Sequence, residues 1–157
     1  MRRLLLVLVL TACERESPQI LLVDVTEQAG PEFVTSSGGM PPRSIVEVNG
    51  PGVCLFDADG DGDLDLFVAN GASPDDPEHG PGSRLFRNML NDDKTLRFTD
   101  MTETAGIDLQ RWATSATAAD FDNDGDDDLY VTCIGNDALL RNDGKGRFTD
   151  VTAAAGA

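Results

Sequence analysis

Aromatic residues are scarce in this 157-residue chain, at 6%, with one Trp and one Tyr. It has one His and three Cys, and only 12 basic residues against 28 acidic ones. Each shortage excludes something. With His79 as the sole imidazole, no Ser-His-Asp arrangement can be argued. Cys13, Cys54 and Cys133 form neither a CxxC nor a Cys/His cluster, so zinc is unsupported. A formal charge of −16 repels phosphate backbones and removes nucleic acid from the candidate partners. The longest apolar run, Leu4 to Leu10, is far too short to cross a bilayer. Such acidity can also mark disorder, but here the acids are concentrated and strand-like patterns flank them.

What is present favours short strands. Hydrophobic residues make up 40%, enough for a core, while 16 Gly and eight Pro punctuate short apolar runs. The length alone suggests one domain.

The N-terminus reads as a leader over residues 1–12. Arg2 and Arg3 precede the Leu/Val run, which is the arrangement of a signal peptide. Leu10-Thr11-Ala12-Cys13 resembles the bacterial lipobox, in which the Cys is acylated and becomes the new N-terminus. An ordinary secretory leader is the alternative. Glu14, not Asp, follows the Cys, so by that resemblance no inner-membrane retention signal is evident. Residues 13–19 read as a polar tether, and loss of the leader takes the charge to −18, with 10 basic against 28 acidic residues.

Two segments of the remainder align. Val53 to Val68 matches Ala116 to Val131, and the first loop aspartates, Asp57 and Asp120, lie 63 residues apart. Downstream, Leu85-Phe86-Arg87-Asn88 parallels Leu139-Leu140-Arg141-Asn142, and Arg97-Phe98-Thr99-Asp100 parallels Arg147-Phe148-Thr149-Asp150. The repeats run from about 52 to 106 and 112 to 157, with a partial third copy at Val23 to Gly30. Strands are expected at 52–56, 64–69, 83–88 and 96–101, then at 113–119, 128–133, 138–142 and 147–152. Asn142 to Gly146 is a hairpin turn, expanded in the first repeat to Met89–Thr95, and 71–82 is an exposed loop. A four-stranded sheet repeated about every 60 residues predicts an all-β fold, a partial β-propeller of about two blades plus an N-terminal partial strand repeat. Since about four blades are the fewest that close a ring, the expectation is a truncated propeller or one that associates with copies of itself.

The loops between the first two strands of each repeat read D-x-D-x-D-G-D-x-D. Positions 1, 3, 5 and 9 are Asp57, Asp59, Asp61 and Asp65, then Asp120, Asp122, Asp124 and Asp128. Position 6 is Gly62 or Gly125, where the chain turns sharply, and position 7, Asp63 or Asp126, offers its backbone carbonyl. Carboxylates about 5 Å apart at an effective dielectric of about 20 repel by roughly 3 kcal/mol per pair before screening. A divalent cation cancels that repulsion, and an all-oxygen, flexible set suits calcium better than magnesium. About two ions are expected, one per loop. An EF-hand is excluded, because position 12 is Val68 or Val131 rather than Glu and a strand follows.

These loops resemble the FG-GAP/VCBS repeat of integrin-type β-propellers. The fuller pattern, including Arg84-Leu85-Phe86-Arg87-Asn88 and Phe98-Thr99-Asp100-Met101-Thr102, resembles the cartilage-acidic-protein-like bacterial family associated with ASPIC/UnbV domains. The resemblance covers residues 20–157. It implies calcium in the loops, an extracytoplasmic setting and a larger propeller of about seven blades.

The leading functional expectation is a non-catalytic, calcium-binding envelope or secreted module with an unidentified protein or glycan ligand. Its membrane attachment would run through Cys13. The alternatives are part of a polysaccharide lyase or hydrolase with its active site in other blades, and a truncated gene product without a role. Cys54 and Cys133 are expected as small buried hydrophobes rather than a disulfide, and Trp112 and Phe121 as packing residues.

Overall fold

The computed structural model describes residues 23–39 and 41–156; the leader, the tether and Cys13 lie outside them. Eight strands form two four-stranded antiparallel sheets. The first contains β1 (Val53–Phe56), β2 (Asp65–Val68), β3 (Arg84–Asn88) and β4 (Phe98–Asp100), paired in that order. The second contains β5 (Ala113–Ala119), β6 (Asp128–Cys133), β7 (Ala138–Asn142) and β8 (Phe148–Asp150), again in chain order. Each sheet is therefore a simple meander, the form of a propeller blade.

Side-chain alternation decides how the blades stack. In the first, Phe56, Phe67 and Leu85 point to one face and are almost fully buried. They meet Leu129, Val131, Ala138, Leu140 and Phe148 of the second blade in one core cluster. Phe56 and Phe148 pack edge to face with centroids 6.2 Å apart. Burial of a side chain such as Phe67 or Leu85 stabilises the fold by about 2 kcal/mol each. Backbone bonds tie the blades as well, from Gly52 N to Thr114 O (2.9 Å), Ala113 N to Asn70 O (2.9 Å) and Phe148 N to Ala105 O (2.8 Å).

The opposite faces differ. On the first blade Leu55, Leu66 and Phe86 stand in one cross-strand row. Phe33 of the N-terminal segment covers the Phe86 end with ring centroids 5.8 Å apart. The outward row on the second blade is Thr117, Tyr130 and Leu139, which is more polar and matches Cys54, Phe67 and Leu85 in the repeat rather than the outward row of the first blade.

Three expectations need correction. Residues 71–82 are not exposed throughout, because Gly71, Ala72 and Gly82 are buried and Gly80 N donates to Gln110 O at 2.7 Å. Phe121 is 46% exposed and packs into no core, although Trp112 is buried as expected. The tails after β8 and near the start close as single helical turns, α3 (Thr152–Ala155) and α1 (Thr26–Ala29). The third copy thus shows its helical turn, while Val23 to Val25 carry no strand. The expanded Met89–Thr95 turn holds a further helical turn, α2 (Leu90–Asp93).

Asn70 is a structural residue that sequence reasoning missed. It is fully buried, its Oδ1 accepts from Ser36 N at 2.7 Å, and its Nδ2 donates to Gly82 O at 3.0 Å. Its backbone carbonyl accepts from Ala113 N, so one residue joins the N-terminal segment, the first blade and the second.

Candidate metal centres

Both Asp-rich segments are the loops between the first two strands of a blade, and they curl about their first aspartate. Asp57 Oδ1 accepts from Gly60 N (2.8 Å) and Asp61 N (3.2 Å), and its Oδ2 accepts from Gly62 N (3.0 Å). Asp120 does the same for Asp124 N (3.1 Å) and Gly125 N (3.0 Å). So tight a curl needs left-handed backbone at two places. Position 6 is one, with φ of 89° at Gly62 and 101° at Gly125. Position 4 is the other, with φ of 78° at Gly60 and 63° at Asn123. Gly and Asn tolerate that region best, so the position 4 residues were a legible signal that the spacing argument passed over.

Position 9 behaves unlike positions 1, 3 and 5. Asp65 is fully buried, and its carboxylate accepts from Ala58 N (2.9 Å) and Asn88 N (2.8 Å). Asp128 repeats this with Phe121 N (3.0 Å) and Asn142 N (2.7 Å). In both blades this aspartate pins the start of the loop to the end of the third strand.

The structure brings together Asp57, Asp59 and Asp61, and separately Asp120, Asp122 and Asp124. In each triad one oxygen per residue lies within 4.8 Å of the others. Two oxygens sharing a calcium at about 2.3–2.6 Å can be at most about 5 Å apart, so both triads fit one such ion. Asp63 and Asp126 stand outside the triads. Asp63 Oδ2 accepts from Asn91 N at 2.9 Å, and its buried Oδ1 has no hydrogen-bond partner. Asp126 sits against Gly144, where an added Cβ would strike its carboxylate. Between the loops lies a cleft of about 220 Å3, lined by Asp57, Gly60, Gly125, Asp126, Asn142 and Gly144.

Residues 57–131 and 120–157 each match the family model of the FG-GAP-like repeat. The chain belongs to the FG-GAP-like repeat family. No curated protein matches it. In this FG-GAP-like chain the matched segments take in both Asp-rich loops and overlap at residues 120–131.

The loops carry their charge under strain. Burial pushes the Asp65 carboxyl up to about 6, outweighing its two backbone hydrogen bonds. Asp59 is raised by burial, opposed by Arg87. Asp122 is raised by desolvation and then by Asp124 and Asp128. Desolvation, then Asp124 and Asp120, raises Asp126 as well. A raised carboxyl favours the protonated form in the fold. The stabilisation from Asp65 is therefore full below its unfolded value near 3.8 and is lost as pH rises through about 6. A bound divalent ion opposes this, since it needs the ionised form. Calcium affinity is accordingly expected to rise with pH up to about 6 to 7 and then level off, with proton release on binding below that range. Calorimetric titration in buffers of differing ionisation enthalpy checks this. An affinity that is flat from pH 5 to 8 would show that no carboxyl of the loops titrates there.

The remaining titratable groups offer little chemistry. His79 is exposed, with Nδ1 2.9 Å from Asp76 Oδ1. Burial raises the Cys54 thiol and pushes that of Cys133 up to about 11, so neither is a ready nucleophile. Both are free thiols packed against the core.

Proposed function

We propose that this chain is a calcium-loaded pair of blades from an extracytoplasmic β-propeller with a non-catalytic binding role. The observation that carries the reading is the recurrence, in register, of two oxygen triads of one-ion dimensions. Asp57, Asp59 and Asp61 would hold one ion and Asp120, Asp122 and Asp124 the other, with Asp65 or Asp128 at position 9 and a backbone carbonyl from Asp63 or Asp126 completing the expected set. The ion supplies charge cancellation and rigidity at the loop. Its effect is on the fold, since clustered carboxylates otherwise push the loop open.

Further blades are part of the reading. Ala58, at position 2 of the first loop, is fully buried, whereas its counterpart Phe121 is 46% exposed. That exposed ring marks where another blade, or a second copy of this chain, would cover the second loop. The Leu10 to Cys13 tetrad supports lipid attachment, which metabolic labelling with a palmitate analogue and the Cys13→Ser variant would test. The single, exposed histidine favours binding over catalysis, and the ligand class is a protein or a glycan.

Thermal unfolding in EGTA and in millimolar calcium tests the metal reading. Two sites, each saturated about 100-fold above its Kd, add about 2.7 kcal/mol apiece, which raises Tm by at least about 10 °C. A midpoint indifferent to calcium sinks the proposal.

A further inference from the structure

The two loops are not electrostatic equals. In the first, Arg87 of β3 lies over the triad. Its Nη2 donates to Asp61 Oδ2 at 3.2 Å, and its Nε is 2.6 Å from Asp59 Oδ2, without the alignment of a hydrogen bond. Its Nη1 reaches Asp92 Oδ2 at 3.3 Å, outside the loop. The guanidinium therefore engages one oxygen on each of two triad carboxylates. The other oxygens, Asp59 Oδ1 and Asp61 Oδ1, accept backbone bonds from Asp61 N (3.3 Å) and Asp63 N (3.1 Å). The first loop thus has an organic cation where it also has room for a metal.

The second blade places Arg141 at the matching position of β7, one residue before Asn142. Arg141 is exposed and forms no ion pair within 4.0 Å with the second triad among the described residues, although its charge still acts on Asp122 from farther away as the smallest of the influences there. The triads differ in depth too. Asp57, Asp59 and Asp61 are half-buried, while Asp120, Asp122 and Asp124 are exposed.

We infer that Arg87 is a built-in counter-cation for the first loop, so that the two loops take calcium in order, the second before the first. The inference rests on the metal reading proposed above and adds a sequence of occupancy to it. Two routes lead to the same order. If Arg87 stays when the ion enters, a positive charge sits close to a divalent cation. If it leaves, its bonds to Asp59 and Asp61 are lost. Without metal, the first loop stays folded around Arg87 while the second repels itself. The first loop is then the permanent hinge of the pair and the second the calcium-responsive one.

Calorimetric titration of the full chain with calcium tests this in two independent arms. In the first, Asp57→Asn and Asp120→Asn each leave a single loop competent. The Asp57→Asn protein, with only the second loop, is expected to keep the tighter step, and Asp120→Asn the weaker one. The opposite order overturns the inference. In the second arm, Arg87→Gln tightens the weaker step by about tenfold, the effect of removing one charge about 6 Å from a divalent ion even at the dielectric of water. It also lowers the midpoint in EGTA. Arg87→Lys, which keeps the charge, should bind like wild type, and Arg141→Gln should move the tighter step less. Unchanged or weakened binding in Arg87→Gln overturns the inference, and should that variant not fold, the single-loop proteins decide. Failure of the metal reading looks different: wild type then binds no calcium at all.

Discussion

Asp128→Ala is expected to lower the unfolding free energy by about 4 kcal/mol, with or without calcium. The Asp128 side chain is 1% exposed and accepts from the backbone N–H groups of Phe121 and Asn142 at 3.0 and 2.7 Å. Truncation leaves one buried donor, Asn142 N, and one half-buried donor, Phe121 N, without acceptors, at about 1–3 kcal/mol each, and opens a small void. Asp65→Ala is the matching experiment in the first blade, where Ala58 N and Asn88 N lose their acceptor. Asp122→Asn supplies the contrast. Asp122 is exposed and its carboxyl is already raised by desolvation and by Asp124, so neutralising it relieves repulsion. That variant should unfold in EGTA at or above the wild-type midpoint while losing the calcium response of its loop. Chemical denaturation of the three variants separates the roles. An Asp128→Ala protein as stable as wild type would show that position 9 does not pin the loop.

Asn142→Ala should cost about 3 kcal/mol and, unlike its counterpart, loosen the other blade. The Nδ2 of Asn142 donates to Ala58 O at 2.9 Å in the first loop and to Asp127 O at 3.1 Å in the second. Its Oδ1 accepts from Gly144 N at 3.1 Å, which shapes the β7–β8 turn. The backbone of that turn lies close to the first loop as well, since an added Cβ at Gly60 would come within 3.4 Å of Gly144 O. Asn88 occupies the same position in the first blade, but among the described residues its side chain bonds only to Leu64 O and Leu90 N, both within that blade. Losing a buried bond that leaves a carbonyl unpaired is worth about 1–3 kcal/mol, and Asn142 has more such bonds to lose. Asn88→Ala should therefore cost about half as much. Hydrogen exchange gives the sharper readout. In Asn142→Ala the amides of residues 60–62 should exchange faster, and in Asn88→Ala those of the second loop should not. Equal and purely local effects would mean that the Ala58 bond does not couple the blades.

Most of the architecture was legible before any coordinates. The strand positions agree to within about two residues at nearly every end, because Gly, Asp, Asn or Pro lies near most strand ends and every strand but β7 carries β-branched or aromatic residues. Asn142 to Gly146 turns where the Asp-Gly pair required, with φ of 71° and 72° at Gly144 and Gly146. The loop aspartates were equally plain from their spacing. Their division of labour was not. Spacing treats positions 1, 3, 5 and 9 alike, whereas the fold buries Asp65 and Asp128 and leaves the triads accessible. Phe121 was misread for a related reason. An aromatic side chain usually packs, but position 2 of the loop faces outward unless another blade lies against it, as the second blade does against Ala58.

From the residues alone followed the repeat, the blade-like meanders, the two acidic loops and their fit to an oxygen-loving cation. All of these depend on neighbours close in sequence, where turn chemistry and period-two alternation act directly. The tertiary structure decided which carboxylates pin and which remain open, that Asn142 reaches across to Ala58, and that Arg87 rather than Arg141 covers a triad. Those outcomes depend on contacts between residues distant in sequence, 26 apart for Arg87 and Asp61 within the first blade and 84 apart for Asn142 and the Ala58 carbonyl across the stacked blades. A local pattern carries no information on that approach.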